Sequence, residues 1–387
     1  MYCERNISAL AEYFASGCKT ERLFGVELEH FVTNRKTNLS LPYENGIDKI
    51  LTRLQPLYGA PVFSEGRIIG ITHTSTNPQT IGAEISLEPA AQLEISIEPT
   101  PCIEKIRNTY DEFLQTISPI LYEFNCELIC AGYQPRSKAS ELTLIPKKRY
   151  EHMHEFFTKT GKHGIHMMRG TAATQINIDY ESEADFQKKF RVANIFSPIF
   201  SYMCDNAKVF ENIPYLGRML RAHIWSNVDP ARAGIAPHAC DGNFGFSDYA
   251  KYVYEMPPIF IIRDGKTIFT GNTPNSQIFA NRALSQEDIE HITSMAFPDV
   301  RLKNRIEIRM ADSMPIEKTL AFTALIKQIF YNEANLNALH AETIEIKTQD
   351  ITDAKNALIQ QGASAKIYNK PMAFWISVVK KFDSLHE

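Results

Sequence analysis

The amino-acid sequence predicts an α+β protein built on an antiparallel sheet with one apolar and one polar face. Two observations carry this prediction. Four separate segments alternate apolar and polar residues with a period of two, which is typical of strands with one packed face and one solvated face. Seven other segments repeat apolar residues at three- and four-residue spacing, which is typical of helices.

The longest alternating segment spans residues 84–98, where polar residues fill almost every even position and apolar residues fill the odd ones. Pro89 interrupts this segment, and proline cannot donate a hydrogen bond to a central strand ladder. We therefore expect two strands or a bulge around Pro89. The other alternating segments are 24–31, 174–179 and 305–309.

The polar faces of these strands are rich in glutamate. They carry Glu27, Glu29, Glu84, Glu88, Glu94 and Glu307. For one strand alone, a solvated outer face explains such a pattern, but four such strands favour a shared site. Like charges brought together repel by about 1 kcal/mol per close pair even in water, so we expect a bound cation.

Hard carboxylate oxygens suit Mg2+ or Mn2+, and Mg2+ sites usually share ligands with substrate phosphates. An ATP-dependent enzyme follows as a hypothesis. The sequence has no GxxxxGK[ST] or GxGxxG motif, so we expect the nucleotide to be held through its metals.

Composition excludes several other classes of protein. The 387 residues are 44% hydrophobic and 22% charged, unlike disordered or collagen-like chains, and the net charge of -4 predicts no nucleic-acid partner. No stretch approaches the roughly 20 apolar residues of a membrane span, so we expect a cytoplasmic protein without a membrane partner. The seven scattered cysteines form no CxxC pair, and we expect reduced thiols without a disulfide switch.

The chain has no obvious linker or repeat, which predicts one catalytic domain over 1–387 with a helical portion at 313–387. Ser285 and Asp288 form a candidate capping box at the start of one helix. The predicted helices are 47–58, 103–124, 185–204, 285–295, 316–339, 354–361 and 371–382.

Six ordered segments give the sequence a recognisable family character. It resembles the plant and proteobacterial type of glutamate-cysteine ligase, within the glutamine-synthetase-like carboxylate-amine ligases, from about Phe24 to Asp312. The segments are FGVELE (24–29), SLEPAAQLEIS (86–96), MMRGT with TQINID (167–171 and 174–179), RAHIWSNVD (221–229), DGNFGF (241–246), and FPDVRLK with IEIR (297–303 and 306–309).

The resemblance implies a funnel-like antiparallel sheet of about six strands with helices packed outside and with ATP, Mg2+ and glutamate in the concavity. It implies that ATP phosphorylates the γ-carboxylate of L-glutamate and that the amine of L-cysteine attacks the acyl phosphate, which makes γ-glutamylcysteine for glutathione biosynthesis. The implied partners are these small molecules, and the chain would act as a monomer or homodimer.

The resemblance also implies roles for individual residues. The metal ligands would be Glu27, Glu29, Glu94, Gln175 and Glu307. Arg309 would stabilise the transferred phosphate and contact ATP, Arg221 and Arg169 would grip substrate carboxylates with Arg221 also catalytic, Thr174 and Trp225 would line the amino-acid pocket, and Glu88 would contact the nucleotide.

Several alternatives stay open at this stage. Glu88 is either a nucleotide contact or a turn residue, and Arg169 and Arg221 are either substrate ligands or structural ion-pair partners. Ala90 and Ala91 stand where the family commonly has two glycines, so the approach of the backbone to a ligand differs there. The acceptor is either cysteine or another amine, and an inactive ligand-binding homologue is the remaining possibility.

Overall fold

Helices and strands are distributed along the whole of the computed structural model, which describes residues 2–263 and 265–382. The helices are α1 (Tyr2–Ala15), α2 (Asp48–Tyr58), α3 (Ile103–Glu123), α4 (Lys148–Phe157), α5 (Gly164–Gly170), α6 (Glu183–Met203), α7 (Leu220–Trp225), α8 (Phe246–Glu255), α9 (Asn275–Ile278), α10 (Gln286–Ser294), α11 (Ile316–Phe330), α12 (Glu333–Glu342), α13 (Thr348–Gln361) and α14 (Met372–Lys380). Short π and 3-10 turns lie at Tyr43–Ile47 and Gly362–Ser364.

The strands are shorter and more numerous. They are β1 (Phe24–Asn34), β2 (Ala60–Ser64), β3 (Arg67–His73), β4 (Ala83–Leu87), β5 (Leu93–Thr100), β6 (Cys126–Ile129), β7 (Ala173–Ile178), β8 (Val209–Phe210), β9 (Ile213–Pro214), β10 (Ala233–Gly234), β11 (Phe260–Arg263), β12 (Lys266–Phe269), β13 (Phe297–Pro298), β14 (Val300–Leu302), β15 (Ile306–Asp312), β16 (Lys366–Ile367) and β17 (Lys370–Pro371).

One large sheet organises the fold, and its strands pair antiparallel throughout, which confirms the predicted class. In the described ranges it has nine strands in the order β14-β15-β7-β1-β5-β4-β3-β2, with β6 paired to the far end of β1. This exceeds the expected number of about six. The hairpin β2–β3 and the short strand β6 lack a long alternating pattern, so the sequence does not reveal them.

The four alternating segments lie next to one another in this sheet. Strand β1 is central, with Glu29 opposite Glu94 on β5 and Glu27 opposite Gln175 on β7. Across the next pair, Glu307 on β15 lies opposite Asn177. The intervening apolar residues, Val26, Leu28, Ile95, Ile176 and Ile308, are all buried in the core. The polar side chains therefore share the opposite face, as the period of two predicts.

Each predicted helical segment contains a helix, and one segment is divided between two helices. The segment 316–339 is divided between α11 and α12, because Asn332 leaves the helical path and its side chain caps α12 by accepting a bond from the Asn335 amide at 3.2 Å. The capping box is confirmed, since the Ser285 hydroxyl accepts from the Asp288 amide at 3.1 Å while the Asp288 carboxylate accepts from the Ser285 amide at 2.8 Å.

From residue 313 to residue 382 the described chain is mostly helical, and its only strands are those of the small β16–β17 hairpin. Helix α11 packs against α3, and α12 and α13 pack against α6. Buried apolar side chains from Leu10 to Val379 form one continuous cluster. No helix in ranges 2–263 and 265–382 is both long and apolar enough to span a bilayer.

A tight turn joins β4 to β5, as the position of Pro89 predicts. The Glu88 amide donates to Gln92 O, and the Ala91 amide donates to Glu88 O, both at 2.9 Å. Ala91 has a φ of 64°, in the left-handed region that favours glycine. Ala91, which stands where the family commonly has a glycine, thus adopts a backbone conformation that glycine favours. The Gln92 side chain stabilises the turn by accepting a hydrogen bond from the Ala90 amide at 2.9 Å.

We predict that Ala91→Gly costs less stability than Ala90→Gly. Both substitutions remove a buried methyl group and increase the backbone freedom of the unfolded chain. Only the substitution at residue 91 also removes the strain of an alanine held in the left-handed backbone region. The free energies of unfolding from urea denaturation should differ by about 1 to 2 kcal/mol in favour of Ala91→Gly. Equal losses from the two variants would contradict the strained conformation.

Candidate active site

A cavity of about 530 Å3 lies on the polar face of the sheet. Strands β1, β5, β7 and β15 form one wall, and the rest of the lining comes from residues in or next to the β4–β5 turn, α4, α5, α7, α10, β13 and β14. Its charged and polar lining consists of Glu27, Glu29, Glu88, Gln92, Glu94, Lys147, Arg149, Tyr150, Thr171, Gln175, Arg221, Ser294, Arg301, Lys303 and Arg309, and its less polar lining is Pro89, Met153, Met167, Met168, Trp225 and Phe297.

One side of the cavity is acidic. Glu29 accepts from the Ala173 amide at 2.8 Å and from the Gln175 side chain at 3.1 Å. Glu94 accepts from the hydroxyls of Ser86 and Ser96 at 2.9 and 3.2 Å. On the same strand as Glu29, Glu27 accepts from the Asn177 side chain at 2.8 Å. These neutral donors orient the carboxylates without cancelling their charge.

The proximity of these carboxylates is electrostatically unfavourable. Burial, reinforced by the charge of Glu88, raises the pKa of Glu29 to about 8. Burial and the neighbouring carboxylates of Glu27, Glu88 and Glu29 raise the pKa of Glu94 well above its usual range. A cation placed among these oxygens would reverse both effects, because it would favour the ionised carboxylates.

The other side of the cavity is basic, because Arg301, Lys303 and Arg309 line it. These cations pair with Glu307, which is not itself part of the lining. The carboxylate is buried and pairs with Arg301, with Lys303 at 3.0 Å, with Arg305 at 3.3 Å and with Arg309 at 3.6 Å. Although burial acts to raise the pKa of Glu307, the four cations, Arg301 foremost, hold it well below its usual range. Glu307, predicted as a metal ligand, is therefore already neutralised by protein cations.

Arg309 lies where the two sides meet. Its guanidinium donates to the side-chain oxygen Oε1 of Gln175 at 2.6 Å, and the side-chain nitrogen Nε2 of Gln175 in turn donates to Glu29. Arg221 also lines the cavity, while its guanidinium donates to the main-chain carbonyls of Arg309 and Met310 at 3.2 Å each. Arg221 thus has a structural role at this position, whatever else it binds, and its buried Nε has no hydrogen-bond partner within the described residues.

Two predicted substrate contacts lie outside the cavity. The Arg169 guanidinium donates to Leu142 O at 2.5 Å and contacts the His154 ring at 3.2 Å. Thr174 is on the core side of β7, where its hydroxyl accepts from the Met314 amide at 3.3 Å. Trp225 does line the cavity, on helix α7 next to Phe297.

Four cations that line the cavity were not predicted as site residues: Lys147 and Arg149 at the start of α4, and Arg301 and Lys303 on and next to β14. Arg149 is held by Ser294, whose hydroxyl and carbonyl oxygens accept from its guanidinium at 3.1 and 3.2 Å. Lys147 contacts the Tyr150 ring at 5.0 Å, and its ammonium has no ion pair or hydrogen bond with any residue that the structure describes. For Lys147 and Arg149, the only signal in the sequence is the basic run KKR at 147–149, which lies outside the alternating segments that predict the strands.

The acidic side suits a hard divalent cation in its donor chemistry. Its oxygens come from Glu27, Glu29, Glu94 and the side-chain amide of Gln175. Across the described ranges, however, no three His, Cys, Asp or Glu side chains converge as a ready-made metal site. The residues therefore fit a metal that takes its remaining ligands from phosphate and water, as Mg2+ does, and not a closed all-protein site.

The fold defines an α+β protein that carries a polar cavity on one face of a large antiparallel sheet, and both the fold and the sequence have known relatives. The structure resembles a crystal structure of a glutamate-cysteine ligase from Francisella tularensis in complex with AMP, with a TM-score of 0.51 and 11% identity, over 94% of this chain and 78% of that chain. This likeness shows the fold. The sequence model of glutamate-cysteine ligase family 2 (GCS2) matches residues 23–367, and the chain belongs to that family.

The family match extends about 55 residues beyond Asp312, where the recognisable motifs end, and so includes most of the helical portion. Similar curated proteins are the chloroplastic glutamate-cysteine ligases of Arabidopsis thaliana, 29% identical over 85% of this chain, and Nicotiana tabacum, 30% identical over 91%. This chain spans 64% and 67% of those two relatives. The cytoplasmic location expected from the sequence stays a prediction.

We predict that Glu307→Gln strongly destabilises the protein. The substitution keeps the shape of the side chain but leaves four buried or half-buried cations without their central anion, which costs about 3 to 5 kcal/mol for a buried pair. Arg305→Gln is the matched control, because Arg305 is a partly exposed member of the same cluster and its loss should cost about 1 kcal/mol or less. Denaturant unfolding measures both, and similar costs would refute Glu307 as the centre of the cluster.

Proposed function

We propose that this protein joins the γ-carboxylate of L-glutamate to the amine of L-cysteine in a reaction that consumes ATP and requires Mg2+. The observation that carries the proposal is the cavity itself, in which carboxylates oppose cations on the polar face of one sheet. The membership in family 2 and the similarity to named glutamate-cysteine ligases support it. The AMP in the similar Francisella protein supports a nucleotide as one of the ligands.

The basic side would hold the phosphates of ATP. Lys147 supplies an unpaired ammonium, Arg149 and Lys303 supply further charge, and Arg309 lies next to the acidic side. Phosphoryl transfer depends on positioning and charge stabilisation more than on covalent help from the protein. Arg309 would then stabilise the charge on the transferred phosphoryl group, with Glu88 near the nucleotide.

The acidic side would hold Mg2+ through Glu27, Glu29, Glu94 and Gln175, with Glu307 anchoring the cations beside them. Bound Mg2+ would neutralise phosphate charge and keep the buried carboxylates ionised. Arg221 and Trp225 are the predicted amino-acid contacts that line the cavity, and they would bind glutamate. Arg169 and Thr174 are left out of this role because both have structural partners elsewhere.

The chemistry balances in two steps. The γ-carboxylate oxygen of glutamate attacks the γ-phosphorus of ATP, ADP leaves, and an acyl phosphate forms. The cysteine amine then attacks the acyl carbon, inorganic phosphate leaves, and the amine loses a proton to give the amide. Neither step requires a nucleophile from the protein, which agrees with a cavity lined by carboxylates, amides and cations.

The proposal predicts ADP release that depends on ATP, Mg2+, L-glutamate and L-cysteine together. A coupled ADP assay, with the γ-glutamylcysteine product identified by mass spectrometry, tests it directly. Chelation of Mg2+ should abolish turnover, and Glu27→Gln should lower it about 100-fold or more if that carboxylate holds the metal. Turnover with another amine but not with cysteine would show that the acceptor is not cysteine. Thermal stabilisation by Mg2+ and ATP without turnover on any amine would indicate an inactive ligand-binding homologue.

We also predict that Lys147→Gln weakens the binding of Mg·ADP about 10-fold or more, because it removes a charge-assisted contact in the cavity. Lys148→Gln is the matched control, since Lys148 is exposed and pairs with Glu65 at 3.3 Å outside the cavity. Isothermal titration calorimetry with Mg·ADP compares the two variants with the wild type. Equal affinities in all three proteins would exclude Lys147 as a phosphate ligand.

A further inference from the structure

Helix α13 places a buried lysine behind the candidate active site. Lys355 is 5% exposed, and its ammonium forms an ion pair with the carboxylate of Asp299, between β13 and β14. The Ser197 hydroxyl donates to the same carboxylate oxygen at 3.4 Å. Removing two charges from water costs several kcal/mol each, so each member of this pair requires the other.

Asp299 connects this ion pair to the backbone of Arg309. The Asp299 carbonyl accepts from the Arg309 amide at 3.0 Å, and the Asp299 amide donates to Gly234 O at 2.8 Å. Asp299 also lines a niche of about 20 Å3 together with Arg221 and Arg309. The niche adjoins the main cavity, because Arg221 and Arg309 line both.

The backbone at Arg309 needs this support because strand β15 is irregular there. Its pairing with β7 is regular up to Ile308 and shifts before Ala311. The Arg309 amide bonds to Asp299, and the carbonyls of Arg309 and Met310 accept from Arg221. Bulges of this kind re-aim a side chain next to an active site. The direction of the Arg309 side chain therefore depends on residues outside the sheet.

We propose that Lys355 is a positioning residue for Arg309. By neutralising Asp299, it keeps that carboxylate from pairing with the guanidinium groups of Arg309 and Arg221 across the niche. Without Lys355, the buried carboxylate would draw one of these guanidinium groups away from the main cavity. This inference rests on the proposed function, in which Arg309 stabilises the transferred phosphoryl group, and it makes the helical portion a part of the active-site support.

The test compares Lys355→Met, Lys355→Arg and the double variant Lys355→Met/Asp299→Asn. Lys355→Met should lower kcat about 10-fold or more, with KM values for ATP and glutamate within about threefold of the wild type, because small displacements of a catalytic group are costly. Lys355→Arg should restore kcat by keeping the charge. The double variant should recover most of kcat, because it removes the unpaired carboxylate as well.

Lys189→Met is the matched control for stability. Lys189 is also a buried lysine with an acidic partner, Asp185 at 2.8 Å, and lies outside the candidate site. It should lower the free energy of unfolding without changing kcat of the folded enzyme. If Lys355→Met behaves in the same way, or if the double variant is no more active than Lys355→Met, Lys355 has no positioning role.

Hydrogen exchange provides a readout that does not depend on turnover. Amides of the segment 306–312 should exchange faster in Lys355→Met than in the wild type, and they should be unchanged in Lys189→Met. If these amides exchange at the wild-type rate in Lys355→Met, Lys355 has no positioning role, even where the wild-type protein is an active enzyme. An inactive wild type would refute the proposed function, while the exchange comparison would still decide whether Lys355 holds the bulge.

Discussion

The pairing register of the central strand β1 is the constraint on which the candidate site depends. It sets Glu29 opposite Glu94 and Glu27 opposite Gln175, while Val26 and Leu28 face the core. Since side chains alternate across a strand, a slip of one residue would turn both glutamates into the core. The burial of the apolar face therefore fixes the register, and the register decides which polar groups share the cavity.

Charge separation within the cavity is the second feature that follows from this register. Glu307 is surrounded by cations, whereas the groups that donate hydrogen bonds to Glu29 and Glu94 are neutral. The carboxylates of the acidic half repel one another, and a bound cation would offset this repulsion. In the cavity, the Lys147 ammonium is available to pair with an anion. A metal bound to a polyphosphate has the charge distribution that complements both halves.

Elements outside the sheet complete the site. The start of α4 places Lys147 and Arg149 in the same cavity lining as Glu88 of the β4–β5 turn. Helix α7 places Arg221 against the β15 bulge. Helix α13 supports the same bulge through Lys355 and Asp299. The helical portion of the chain thus contacts the structure around the candidate site and does more than cover the core.

The sequence by itself determined the antiparallel sheet, most of the helices and the glutamates on the polar faces, because a period of two or 3.6 is a local property of the chain. It could not show that Arg169 and Thr174 lie outside the cavity, that Lys147 lines it, or that Lys355 pairs with Asp299. These features join residues that are tens to more than a hundred positions apart in the sequence. They depend on loop paths, strand register and a bulge, which only tertiary packing decides, because local periodicity carries no information about which distant side chains meet.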